Sequence, residues 1–355
     1  MMNARVQVEP SEIRHRRASA FSLVELLTVV FIISLLIAIL IPSLSRARVA
    51  AKKATTDNTV KKSLEQTLEL FKNDNERDFP QTSGYPTSFA HPPIRNATFD
   101  PFLGEFPFVE NGQPAPANGA HWLPAMLMGV DQQGYVPRKN VPASLVTQPD
   151  RWYSADPLQD SSFEIIPRAD LYIEPGVVKT VLTKDLRGRP NEALSPSFDD
   201  VARLPVFVDS FDQPILYYAA NRFGKPRNMV EQRRDQNNSY AMGPPIYFHE
   251  DNKLFTGDDS NPAGWKFQGN ENHKIALSGH MLDANQILED QNRDTFATFI
   301  LDRQYRKQME EGTVQPTTQL PLRPVNPKRF ILISAGADAI YGTPDDITNF
   351  PLSVE

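Results

Sequence analysis

FSLVELLTVVFIISLLIAILI, from Phe21 to Ile41, is the stretch on which the reading of the whole chain turns. It holds 21 residues, with Glu25 as its one charge and Ser22, Thr28 and Ser34 as its other polar groups. At about 1.5 Å of rise per residue, a helix of this length crosses the roughly 30 Å apolar layer of a bilayer. The run exceeds the apolar region of an ordinary secretory signal, and no small-x-small cleavage site follows it. Pro42 and Ser43-Leu44-Ser45-Arg46-Ala47-Arg48 come next. The small residue stands before the run instead, at Ala20, behind the basic cluster Arg14, His15, Arg16 and Arg17.

The helical pattern continues past this segment. Pro42 can bend a helix without ending it, and residues 43 to 72 contain neither Gly nor Pro. Val60, Leu64, Leu68 and Phe71 recur at spacings of four, four and three, flanked by Lys61, Lys62, Glu65, Glu69 and Lys72. That spacing predicts one apolar stripe on a helix running from Phe21 to about Asn73, with the stripe covering a sheet. The turn-forming Asn73-Asp74-Asn75 and then Pro80 bring the helix to an end.

Composition removes several function classes. The chain has 355 residues, no cysteine and a net charge of -6. Disulfides, thiolate metal sites and cysteine nucleophiles are therefore excluded, and a global basic field for nucleic acid is missing. No spacing of nucleophile, base and stabiliser appears, so an enzyme is not expected. Asp290-x-Asn292-x-Asp294 begins like an EF-hand, but Thr295 and Leu301 stand where that loop needs Gly and Glu. His249, His273 and His280 show no ligand spacing.

Prolines number 31 against 17 glycines, and 16 of them fall in residues 81 to 204. That region reads as a loop-rich, Pro-rich insertion with short strands and a core drawn from Trp122, Trp152, Tyr153, Phe163 and Ile165. Residues 205 to 220 read as strand, turn and strand around Ser210-Phe211-Asp212-Gln213-Pro214, a β-hairpin. A second insertion, 221 to 326, is expected to hold an amphipathic helix near 283 to 311 through Ile287, Leu288, Phe296, Phe299 and Ile300. Phe330 to Ile333 read as a buried strand leading into Ser334-Ala335-Gly336-Ala337-Asp338-Ala339-Ile340-Tyr341-Gly342-Thr343-Pro344-Asp345-Asp346-Ile347-Thr348-Asn349-Phe350. Glycines for sharp turns alternate there with hard oxygen groups, as a flexible calcium loop requires. The competing reading is a turn in which Asp345 and Asp346 cap backbone amides.

Four stretches carry a family resemblance. Ser19-Ala20-Phe21-Ser22-Leu23-Val24-Glu25 resembles the prepilin processing site, where a basic leader ends in Gly or Ala, Phe follows and Glu is fifth after the cut. Residues 71 to 80 and the hairpin are similar to the corresponding segments of the major pseudopilins of type II secretion, with Phe211 and Asp212 in place of a Trp-Gly pair. The loop after the last strand resembles their C-terminal calcium loop, with Ala339 in place of a glycine.

The resemblance implies an α+β fold in which the long N-terminal transmembrane helix packs on a small antiparallel sheet, with large insertions. It implies a leader of residues 1 to 20, a membrane and assembly half at 21 to 42, and an exported half at 43 to 75. A prepilin peptidase would cleave between Ala20 and Phe21 and methylate the new Phe21 amine. Glu25 would pair with that amine on a neighbouring subunit, because a carboxylate among packed apolar helices needs a cation; its alternative is to snorkel to the headgroups. Asp338 and Asp345, with Asp346 or Thr348, would hold a structural Ca2+ in the segment 327 to 355. Other copies or related pilin subunits and an inner-membrane assembly platform would be the partners. The expected location is the inner membrane, single-pass, with the C-terminal part periplasmic or extracellular. The other expectation is a surface binding protein or adhesin that borrows the pilin anchor to display its insertions.

Overall fold

The computed structural model describes residues 22–88, 109–110, 113–114, 118–137, 140–142, 166–189, 201–202, 204–225, 229–231, 244–267, 269, 271–279, 294–313 and 323–352. They fall into two compact units that divide between Ala50 and Ala51.

The described part of the first unit is a single apolar helix. Helix α1, Leu23–Asn58, contains Pro42 without interruption, and every residue from Ser22 to Ala50 is exposed. The helix is long and apolar enough to cross a membrane.

In the second unit, helical backbone continues through a π-helical segment, Thr59–Leu64, into α2, Glu65–Asn75. Thr56, Val60, Leu64, Leu68 and Phe71 are all buried. Steps of four residues rotate an α-helix roughly 40° off its own face each time, about 120° over three. The π turn, closed by i→i+5 bonds, is wider and turns the helix back so the stripe stays on one side. Phe71 ends that stripe in an aromatic cluster, with ring centroids 5.4 Å from Phe79, 5.9 Å from Tyr135 and 4.9 Å from Tyr172. Asn75 closes α2 by donating to the Phe71 carbonyl at 2.9 Å and to the Tyr172 hydroxyl at 2.8 Å.

Strands β1, Val109–Glu110, and β2, Gln113–Pro114, form a small antiparallel pair. Helix α3, Gly119–Met128, follows, and all ten of its residues are buried. The loop-rich expectation for 81 to 204 missed this helix, because a helix apolar on every side has no periodic signal and Pro124 lies within it. Its start is fixed by a capping box in which the Asn118 amide donates to His121 Nδ1 at 2.9 Å. Trp122 belongs to the core as expected. Trp152, Tyr153, Phe163 and Ile165 lie outside the described residues.

Strand β3, Thr180–Leu182, pairs antiparallel with β4, Pro205–Phe207. Strand β5, Leu216–Ala219, pairs instead with β8, Phe330–Ser334, which also pairs with β9, Ile347–Thr348. This three-stranded antiparallel sheet, in the order β5-β8-β9, is buried along the whole of β8. Strands β6, Val230–Glu231, and β7, Tyr247–Phe248, make a short parallel pair. The expected hairpin over 205 to 220 therefore exists only near its turn. Val208 bridges Pro214, and the Ile215 amide donates to the Phe207 carbonyl at 2.8 Å. Beyond that point β4 and β5 separate, because each is fully buried and takes its backbone partner elsewhere. Asp212 at the turn has φ 67°, so it occupies the left-handed conformation that the resembling glycine would supply.

Short helix α4, Lys253–Thr256, precedes α5, Phe296–Phe299, and α6, Arg303–Glu310. The part of the expected 283 to 311 helix that is described thus comprises two helices with separate caps. The Thr298 amide donates to Thr295 Oγ1 at 3.2 Å, and the Tyr305 amide to Asp302 Oδ1 at 3.0 Å. Ile287 and Leu288 lie outside the described residues.

Candidate metal centre

Strand β8 ends at Ser334, and the loop beyond it folds back on itself before β9. Gly336 makes the first reversal with φ 63°, and a Cβ there would meet the Asp345 carbonyl oxygen at 2.5 Å and its Oδ2 at 2.8 Å. Only glycine allows Asp345 to approach this closely. Ala339 makes the second reversal with φ 61°, a left-handed conformation that costs an alanine roughly 1–2 kcal/mol.

These reversals bring Asp338, Asp345 and Asp346 together, with one carboxylate oxygen of each within 4.8 Å of the others. Calcium binds oxygens at roughly 2.4 Å, so opposite ligands lie about 5 Å apart. One ion is therefore compatible with all three. The donor set is hard oxygen throughout, which suits Ca2+ and excludes soft metals.

The protein holds these carboxylates in distinct ways. Asp345 Oδ2 accepts from the amides of Ala337 at 2.9 Å and Asp338 at 3.2 Å, and Oδ1 accepts from the Thr343 hydroxyl at 2.6 Å. Burial acts to raise its pKa, but the bonds from Thr343 and Asp338 hold it below the ordinary value. Asp338 accepts from the Ile340 amide at 2.8 Å, and burial followed by the neighbouring Asp345 pushes its pKa up. Asp346 accepts from the Gly342 amide at 2.7 Å. Burial drives its pKa well above the carboxylate range, reinforced by the charges of Asp338 and Asp345. Both upward shifts oppose the ionised form, and a bound cation would favour it.

Thr348, the fourth expected ligand, lies in β9 opposite Ile333 and donates its hydroxyl to the Phe350 carbonyl at 2.5 Å. The residue missed from sequence is Thr343, which bonds Asp345 and lies 3.3 Å from Asp346 Oδ1. Its signal was a hydroxyl opening the Thr343-Pro344-Asp345 turn. Capping and a cation-sized carboxylate cluster, set against each other from sequence, are compatible here: Asp345 caps amides while one oxygen of each of the three carboxylates stays within 4.8 Å of the others.

The rest of the second unit clamps this loop. The Lys274 amide donates to the Tyr341 carbonyl at 2.8 Å, and the Tyr341 amide donates to His273 Nδ1 at 3.2 Å. His273 Nε2 lies 2.8 Å from the Trp265 carbonyl, so the ring is a neutral bridge, and burial lowers its pKa to about 4. His249 is likewise buried, its Nε2 2.9 Å from the Ile275 carbonyl. His280, Asp290 and Asn292 lie outside the described residues.

At the other end of the chain, Glu25 lies in the first turn of α1 and bonds reciprocally with Ser22. Ala20 and Phe21 lie outside the described residues. No protein-family model, curated protein or solved structure matches the chain.

Proposed function

We propose that the chain is a pilin-like structural subunit, anchored in the inner membrane by α1 and assembled through it into a type II secretion pseudopilus or a type IV pilus. The observation that carries this reading is unbroken helical backbone from Leu23 to Asn75. Its first half is apolar and exposed, and its second half buries a stripe in a sheet-containing body. A core helix of a water-soluble protein does not expose such a surface, and a cleaved secretory signal does not continue into the folded body. The resemblance around Ala20, Phe21 and Glu25 supplies the processing step: a prepilin peptidase cuts before Phe21 and methylates its amine.

In this reading the assembly partners are other subunits and an inner-membrane platform, with the body on the periplasmic or extracellular side. Glu25 pairs with the Phe21 amine of a neighbouring copy. Ca2+ held by Asp338, Asp345 and Asp346 closes the last loop, a role disulfides cannot fill in a chain without cysteine. Mass spectrometry of the chain purified from its own membranes tests the reading. A mature form starting at N-methyl-Phe21 supports it, and a chain that keeps Met1 would sink it.

A further inference from the structure

Past the apolar run, α1 carries Arg46, Arg48, Lys52 and Lys53, all exposed. No acidic residue occurs from Leu26 to Thr56. Among the described residues no carboxylate lies within ion-pair distance of any of the four, although Lys52 helps lower the pKa of Asp212, and the next acid, Asp57, pairs with Lys61 at 2.5 Å. Lys52 lies over the Phe211 ring at 5.3 Å.

We infer that these cations form a collar that binds anionic phospholipid headgroups at the membrane face from which the body emerges. The inference rests on the anchoring reading above. At about 1.5 Å per residue, Arg46 and Arg48 lie roughly 8–10 Å beyond Ile41, at headgroup depth. Lys52 and Lys53 lie roughly 17–18 Å beyond it; the Lys53 stem reaches back to within about a Debye length of the surface, and Lys52 can do so by leaving the Phe211 ring. At about 100° per residue, Arg46 and Lys53 project on one side of the helix and Arg48 roughly 140–160° round from them, with Lys52 beside Arg48 on the side that meets Phe211. A protein partner docks on one face of a helix. A headgroup layer surrounds it, and matches a charge that faces both ways.

The full chain is reconstituted into vesicles of equal phosphatidylcholine and phosphatidylglycerol and re-extracted in mild detergent, and the retained lipids are counted by mass spectrometry. The expected result is a phosphatidylglycerol excess on the order of tenfold, lowered roughly 1.5- to twofold by each of Arg46→Gln, Arg48→Gln, Lys52→Gln and Lys53→Gln. The excess should collapse in roughly 0.5 M salt. Equal retention of the two lipids by the unsubstituted chain, or an excess that the fourfold variant keeps, overturns the collar. Filament incorporation lost in the fourfold variant without any lipid preference in the unsubstituted chain assigns the cations to a protein partner and also overturns it. Alkaline extraction from pure phosphatidylcholine vesicles separates the two readings. A chain that stays in the vesicles but shows no preference loses only the collar; one that is extracted loses the anchor and the collar with it.

Discussion

The Ser22 amide donates to Glu25 Oε2 at 2.8 Å while the Glu25 amide donates to Ser22 Oγ at 3.2 Å. This is a capping box, which satisfies two of the free amides at the start of α1. Glu25 therefore has a local duty besides its proposed pairing with a neighbour's amine, and the two are separable. Glutamine serves in a capping box but carries no charge. Glu25→Gln should keep the first turn of α1 as protected from amide exchange as in the unsubstituted chain, yet lower filament incorporation at least tenfold. Glu25→Ala should lose both. Normal incorporation of Glu25→Gln would mean that the carboxylate matters only as a cap.

Within the acidic loop, Asp345 and Asp338 should respond differently to substitution. Asp345 accepts three hydrogen bonds from the loop, so Asp345→Ala should destabilise the chain with or without calcium, by about 1–3 kcal/mol. Asp338→Ala should mainly remove the response to calcium. At a calcium concentration of about 100 Kd the unsubstituted chain should gain roughly 3 kcal/mol, seen as a Tm rise of at least about 5 °C. Because Asp338 and Asp346 have raised pKa values, calcium competes with protons for them, and its effect should shrink as pH falls. A Tm indifferent to calcium at pH 8 would remove the metal and leave the loop as a capped turn.

The parts of this fold that were legible in sequence are those with a one-dimensional pattern. The Val60, Leu64, Leu68 and Phe71 stripe and the apolar run of β8 each state which face is buried. The π turn has only an indirect trace in the sequence, the steps of four that a regular helix cannot keep on one side. Helix α3 was hidden because every one of its residues is buried. The parting of β4 from β5 was hidden because their partners, Thr180–Leu182 and Phe330–Ser334, lie far away in the chain. In the candidate site the three carboxylates were legible from residue type and glycine spacing. The roles of Thr343 and Thr348 depend on how the loop closes, which spacing does not encode.

Backbone conformation rather than packing should govern position 339. Ala339 is buried, with 3% exposure, and has φ 61°. Glycine relieves the left-handed strain but loses a methyl contact and adds freedom to the unfolded chain. Ala339→Gly should therefore be neutral or stabilising by up to about 1 kcal/mol. Ala339→Val should cost about 2 kcal/mol or more, because a β-branched residue tolerates this conformation worst. Thermal unfolding of the two variants decides the matter: a Gly variant clearly less stable than the Ala chain would show that the methyl contact dominates.

Asp209 and His273, both buried, should make opposite contributions to stability across mildly acidic pH. Asp209 accepts from the Ser334 hydroxyl at 2.5 Å and from the Phe211 and Gln213 amides, yet burial raises its pKa to about 6. Between the unfolded value near 3.8 and that folded value, the folded chain holds the extra proton. Its contribution is therefore complete below pH 3.8 and lost as pH rises through about 6. For His273 the unfolded chain takes the proton near 6.5 and the folded chain only near 4, so its contribution is complete above pH 6.5 and lost as pH falls through about 4. Each is worth on the order of 3 kcal/mol, and between roughly pH 4 and 6 they offset one another. Asp209→Asn should uncover the histidine, giving a Tm that falls more steeply than the unsubstituted chain's on acidification. His273→Asn, which can still accept from the Tyr341 amide and donate to the Trp265 carbonyl, should uncover the aspartate and tilt the profile the other way. Other buried carboxyls such as Asp251 and Asp346 remain in both variants, so each difference from the unsubstituted chain isolates one residue. If both variants keep its Tm profile between pH 3.5 and 8, neither group titrates differently in the folded and unfolded chain.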